Sequence, residues 1–185
     1  MKIYGFALNL YRYIWSRSVR NQMQVLDTQE STKDSAHGQM NCLVKEALGE
    51  DGLVLKTGVM LPPVGSDEVR IKVLSTAVCG TDKSIYSSSS SEGIRREMLR
   101  YVEDGQKFTP VIVGHEFCGI VEALGEGVSG ERFADVPEHL RISVGDYVTA
   151  EMHLSCGHCF QCRTGAEHIC TRVRVKGVHL DGCFA

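Results

Sequence analysis

No apolar run in this 185-residue chain approaches the length needed to cross a bilayer as a helix, so no membrane partner is expected. A dominant charge is also missing. The 20 basic and 23 acidic side chains leave a net charge of −3, which makes no overall case for nucleic acid. No internal repeat is visible. Acid is absent from the first 26 residues, where Lys2, Arg12, Arg17 and Arg20 accompany serine and aromatics. That segment fits a mitochondrial presequence, an unstructured extension, or translated sequence ahead of a start at Met40. Arg12 interrupts its apolar part, which argues against a secretory signal. The cytoplasm is the expected location, with the mitochondrial matrix as the alternative.

What is present divides in two. Residues 1–39 end in a polar run without periodicity and read as an N-terminal extension. Residues 40–185 read as one domain, and 43% hydrophobic side chains suffice for a core. Strands are expected at Asn41–Glu46, Leu53–Thr57, Glu68–Val78, Phe117–Leu124 and Tyr147–Ala150. In the third of these, Val69, Ile71 and Val73 alternate with Arg70 and Lys72, the period of a half-buried strand. Behind the serine run Ser87–Ser91, Ile94, Met98, Leu99 and Val102 recur at helical spacing, which predicts a short helix within Glu92–Asp104. Short strands, many glycines and little helix predict a mainly β, partly open barrel.

Cysteine is abundant and clustered. Cys156, Cys159, Cys162 and Cys170 put four thiols within 15 residues, with Gly157 and Gly165 easing the turns. Without a secretory signal this clustering favours metal over disulfides. Four thiolates complete the shell of a structural zinc. An iron–sulfur run would have its fourth cysteine after three residues and then proline; here the gap is seven and Thr171 follows. His158 and His168 are therefore loop residues.

A second candidate lies in Gly114-His115-Glu116, an imidazole and a carboxylate at a strand end. Cys79 stands at the end of another strand. A thiolate and an imidazole both suit a catalytic zinc, which keeps a position open. Taken singly, Cys79 reads equally as a buried thiol and His115 as a hydrogen-bonded histidine. Gly125-Glu126-Gly127-Val128-Ser129-Gly130 has the letters of a dinucleotide fingerprint, but proline and irregular sequence follow, so it reads as a turn.

Gly114-His115-Glu116, Gly119, Gly125 and Val128, together with the four-cysteine loop, resemble the zinc-containing medium-chain alcohol dehydrogenase superfamily over roughly residues 40–185. The resemblance implies a GroES-like barrel with a zinc-binding loop lobe. Within the superfamily the chain is most similar to the L-threonine 3-dehydrogenase family, through Ala77-Val78-Cys79-Gly80-Thr81-Asp82, Ile85-Tyr86, His153-Leu154-Ser155-Cys156-Gly157-His158-Cys159, Gly177-Val178 and Gly182-Cys183-Phe184-Ala185.

The resemblance implies an oxidoreductase that oxidises a secondary alcohol to a ketone, L-threonine first, with NAD or NADP. It implies a catalytic zinc on Cys79 and His115, Glu116 as a direct or neighbouring ligand, Thr81 as proton carrier and His153 at the substrate. Ser84 stands where that family usually has histidine, and the serine-rich excursion and Ser129–Arg141 are longer than expected. A polyol or sugar dehydrogenase, or a non-catalytic zinc-bound barrel, are the alternatives. The third catalytic ligand and the nicotinamide-binding Rossmann domain are expected beyond Ala185. The chain thus reads as a truncated catalytic domain, inactive alone and open to homo-oligomer formation at full length.

Overall fold

The computed structural model describes residues 10–12, 38–49, 52–87, 92–102, 108–129, 136–137 and 141–185. The fold is mainly β, built from open antiparallel sheets. Among the described residues nine short strands run in chain order: β1 Leu10–Arg12, β2 Gln39–Lys45, β3 Leu53–Met60, β4 Val69–Ala77, β5 Val111–Ile112, β6 Glu116–Leu124, β7 Tyr147–Ala150, β8 His153–Leu154 and β9 Arg174–Val175. One sheet has the order β1-β7-β6-β4, a second β3-β2-β5, and β8 pairs with β9 alone.

The alternation in β4 decides its orientation. Val69 and Ile71 are buried while Arg70 and Lys72 are half-buried, as a period-2 pattern requires when one face meets a core. They join Val121, Val128 and Val148 in one apolar cluster. Arg70 reaches Glu122 on the neighbouring strand at 2.9 Å. This pair is partly solvated and contributes little beyond register. The β4–β6 register runs from Val69 opposite Leu124 to Ala77 opposite Glu116, through two irregularities. It therefore sets the end of β4 beside the start of β6.

A second cluster gathers Ile85, Met98, Val111, Val113 and Val178. Two short helices supply its first two members. Helix α1 spans Gly80–Tyr86 and α2 spans Glu92–Met98. The apolar face of α2 packs on the barrel, with Met98 buried and Ile94 partly so. It ends earlier than the spacing predicts. Leu99 and Val102 lie in turns closed by Arg100 N–H to Glu97 O and Val102 N–H to Leu99 O, because contacts with residues 171–179 capture the chain there. Tyr101 Oη donates to Val173 O at 2.6 Å. His179 Nε2 donates to Glu97 O at 2.9 Å and its Nδ1 accepts from Val175 N–H at 2.9 Å, which fixes the neutral tautomer.

Other differences from the expected elements are small. β3 continues past Thr57 to Met60 because Gln39 and Met40 pair with Met60 and Val59. Gly125 is followed by one helical turn, α3 Glu126–Ser129. A side chain at Gly125 would strike the Gly65 and Ser66 carbonyls, so this glycine serves a close backbone approach. Leu10–Arg12, within the expected extension, form an edge strand on β7. The rest of residues 1–37, Ser88–Ser91, Gly105, Gly130 and much of the 129–141 segment lie outside the described residues. Among the described residues no helix is long and apolar enough to cross a membrane.

Candidate metal centres

The four-cysteine lobe is built by turns rather than by strands. Cys159 begins α4, Phe160–Arg163, and a 3₁₀ turn, Glu167–Ile169, delivers Cys170. Gly157 and Gly165 adopt φ of 74° and 80°, the left-handed region open to glycine. All four Sγ atoms lie within 4.8 Å of one another. Cys159 stands 3.4 Å from Cys162 and 3.9 Å from Cys170, and Cys156 stands 4.0 Å from Cys162. A tetrahedral zinc with bonds of ~2.3 Å needs sulfurs about 3.8 Å apart, so the donor set fits such an ion.

The backbone favours thiolates here. Cys156 N–H and Arg172 N–H both point at Cys170 Sγ at 3.3 Å, and Cys159 N–H points at Cys156 Sγ at 3.4 Å. The N–H of His158 holds the Cys156 thiol below its ordinary range. That of Cys162 leads a set of donors pulling Cys159 down to about 6. Burial pushes Cys162 up to about 12. Four thiols this close cannot all ionise without a cation between them. His158 and His168 are not donors in this group; His158 Nδ1 meets Cys156 O and its Nε2 meets Arg172.

The second centre is assembled by strand register. β4 ends at Ala77, opposite Glu116, so Cys79 and His115 project from adjacent strand ends. Cys79 Sγ and His115 Nε2 face each other at 2.9 Å. With Glu116 they form a second group whose donor atoms all lie within 4.8 Å. His115 is buried, Cys79 half-buried and Glu116 exposed, so the group opens to solvent on one side.

Cys79 is also the N-cap of α1. Its Sγ accepts from Thr81 N–H at 3.1 Å and its own N–H donates to Asp82 Oδ2 at 2.9 Å. This reciprocal capping arrangement locks the thiol's direction. Thr81 joins the site through that N–H.

Asp82 is a residue that sequence reasoning did not single out. It is buried, and its Oδ1 lies 3.7 Å from His115 Nδ1. Neither of these two atoms has another hydrogen-bond partner. A metal on Nε2 would keep the ring neutral with Nδ1 protonated and aimed at that carboxylate, the usual support for a ligating histidine. The signal was available as Cys79-x-x-Asp82, a capping pattern at the start of a helix. The sequence reading placed no helix there because only seven residues form it.

His153 is not in the donor group. It heads β8, is exposed, and its Nδ1 meets Glu151 Oε1 at 2.6 Å. Ser84 turns its hydroxyl back onto the Gly80 carbonyl at 3.1 Å. Beside α1 lies a mostly apolar cleft of about 640 Å³, whose lining includes Leu43, Leu53, Val78, Tyr86 and Phe184 as well as Ser84 and Asp82. Cys79 and His115 are not among its lining residues, whereas Val78, Gly80 and Asp82 beside them are.

Compared with known proteins, the alcohol dehydrogenase GroES-like domain profile matches residues 65–185. L-threonine 3-dehydrogenase of Bacillus subtilis is 40% identical over 148 residues, 80% of this chain and 36% of the relative. The protein of the same name from Pyrococcus horikoshii is 40% identical over 127 residues, 69% of this chain and 30% of the relative. Among solved structures, a protein described as a short chain alcohol dehydrogenase of Escherichia coli CFT073, complexed with NADH, matches with a TM-score of 0.57 and 31% identity over 80% of this chain and 34% of its own. Galactitol-1-phosphate dehydrogenase from Escherichia coli matches with a TM-score of 0.53 and 26% identity over 79% and 34%. The chain spans about a third of the length of the curated relatives it matches.

Proposed function

From its membership of the medium-chain zinc alcohol dehydrogenase superfamily, to which this chain belongs as a GroES-like domain, we propose that it is the catalytic-domain portion of an NAD(P)-dependent oxidoreductase that oxidises a secondary alcohol to a ketone, with L-threonine as substrate. The observation that carries this reading is the meeting of Cys79, His115 and Glu116 at two strand ends, backed by the unpartnered Asp82–His115 pair. Relatives named L-threonine 3-dehydrogenase support the choice of substrate. The cytoplasm is the proposed setting, with the mitochondrial matrix as the alternative.

A zinc held by Cys79 and His115 would supply Lewis acidity that lowers the pKa of an alcohol bound beside it. The chain's own residues do the rest of the work in this domain. Asp82 holds the His115 ring in the tautomer that leaves Nε2 free. Thr81, whose N–H meets Cys79 Sγ, takes the hydroxyl proton towards solvent. Glu116, exposed beside the site, ligates directly or tunes the ligand set. His153 contacts the polar end of the substrate, oriented by Glu151. The four-cysteine lobe holds a second, structural zinc.

The likeness to galactitol-1-phosphate dehydrogenase, together with Ser84 at a position the L-threonine enzymes usually fill with histidine, favours a polyol as the second reading. Binding to the cobalt-loaded chain separates the readings. L-Threonine alone perturbing the cobalt absorption bands supports the first. Sorbitol or galactitol acting in its place supports the second. Bands that respond to no alcohol would overturn both and leave a non-catalytic metal-bound barrel.

A further inference from the structure

We infer that the turn Gly177–Phe184 is the positioning element of His115, acting through the peptide of Gly114. The inference rests on the proposed metal site at Cys79 and His115 and names a part of the chain that contributes no donor to it.

Gly114 has φ of 87°, and the Phe184 ring occupies the space where a side chain at that position would stand. The segment is sewn onto the strand that leads into His115 by four hydrogen bonds. Gly182 N–H donates to Ile112 O at 2.7 Å, Phe184 N–H to Val113 O at 3.0 Å, and Cys183 N–H to Gly114 O at 3.0 Å. Asp181 Oδ1 accepts from Ile112 N–H at 3.0 Å.

Two further glycines allow this approach. A Cβ on Gly177, itself at φ of 75°, would stand 2.5 Å from Gly114 O. A Cβ on Gly182 would collide with that same oxygen and lie 2.7 Å from Val113 O. Both obstacles are backbone, which cannot swing aside as a side-chain tip can. Within the same turn, the buried Cys183 Sγ lies 3.7 Å from Glu116 O. The chain on both sides of His115 is therefore held by one turn, and the imidazole inherits that position.

The separation this controls is small. His115 Nε2 stands 2.9 Å from Cys79 Sγ and Nδ1 stands 3.7 Å from Asp82. A shift of a few tenths of an ångström at Gly114 changes both. The four-cysteine lobe makes none of its donor contacts through Gly114.

The test is Gly182→Ala in the 185-residue chain. Zinc affinity is measured by competition with a chromophoric chelator, and the His115 ring nitrogens are observed by ¹⁵N NMR in the metal-free state. The expected result is one zinc bound as in the wild type, a second bound at least tenfold more weakly, and displaced His115 ring shifts. Gly93→Ala, at an open helical position, should leave both readouts unchanged. A second zinc of unchanged affinity with unmoved ring shifts in Gly182→Ala would overturn the inference.

If the wild type itself takes a single zinc, the metal reading fails and the ring shifts alone decide: moved shifts uphold the positioning role and unmoved shifts end it. If Gly182→Ala does not fold, Phe184→Leu is judged by the same two readouts. Loss of both zincs and of cooperative melting in both variants would make the turn a general determinant of the fold and overturn the specific role.

Discussion

The two donor groups use the same chemistry and are built in opposite ways. The lobe draws Cys156, Cys159, Cys162 and Cys170 from 15 consecutive residues, and its geometry is made by local turns. The Cys79–His115 group joins residues 36 apart, and only the β4–β6 register brings them together. The lobe therefore has little to hold it except the ion it is suited to bind. The strand-end group has a sheet behind it, and its burial and support exist before any metal arrives. Local groups gain stability from their ligand, whereas non-local groups draw on the stability of the fold.

That contrast sets the order of expected effects. Cys159→Ser removes one of four sulfurs from a lobe with no apolar core of its own. Structural zinc sites in small peptides contribute about 10–16 kcal/mol of apparent binding energy, so loss of the lobe's metal and its ordered turns should be the largest change available. Elemental analysis should drop by one zinc and the melting temperature should fall by roughly 10 °C or more. An unchanged melting curve would remove the lobe's dependence on metal and erase the contrast.

His115→Ala should have the opposite signature. The second metal should disappear while the lobe keeps its own, and the melting temperature should change far less than in Cys159→Ser. Loss of both metals would mean that the groups are coupled through the fold. Asp82→Asn comes next. It keeps the shape, but the amide is a weaker acceptor for His115 Nδ1–H, and zinc affinity at the second group should fall about 10–100-fold. An unchanged affinity would make Asp82 a helix cap alone.

A pH titration sharpens the comparison from the side of α2. His179 bridges Glu97 O and Val175 N–H in its neutral form. Burial lowers its pKa; Glu97 pulls the other way, and the nearby Arg100 and Arg174 charges add to the lowering. The unfolded chain, with an ordinary histidine near 6.5, then binds the proton more readily than the folded one. This contribution to stability is present above about pH 6.5 and is lost as pH falls below it. Melting of the metal-free chain should show stability falling through that window as the pH drops. His179→Gln, whose amide can serve both partners, should flatten the slope; an unaltered slope would clear His179. The smallest effect is expected from deleting residues 1–37. This removes β1, three residues at a sheet edge, and the remaining sheets should melt as before. A collapse in solubility would show that the edge needs its cover.

Much of this was legible in the residues. The alternation of Val69, Ile71 and Val73 with charged neighbours gave β4 to within a residue at each end. The Cys-x-x-Cys-x-x-Cys spacing with a later fourth cysteine gave the lobe outright, because one loop must close on itself whatever surrounds it. The helix at Gly80–Tyr86 was not read, since seven residues carry too little periodicity. α2 was read too long, since its spacing continues through Leu99 and Val102 while contacts from residues 171–179 bend the chain away. Asp82 was visible only as one letter of a motif. Its role depends on an imidazole that arrives from another strand.

The sequence by itself determined the strand pattern and the four-thiol lobe, because each depends on residue type and short spacing. Tertiary structure alone decided that Cys79 meets His115, that Asp82 stands behind the ring, and that Gly177 and Gly182 press on Gly114. These depend on strand register and on backbone approach between segments tens of residues apart. Chain spacing carries no information about such distances until the sheet has closed.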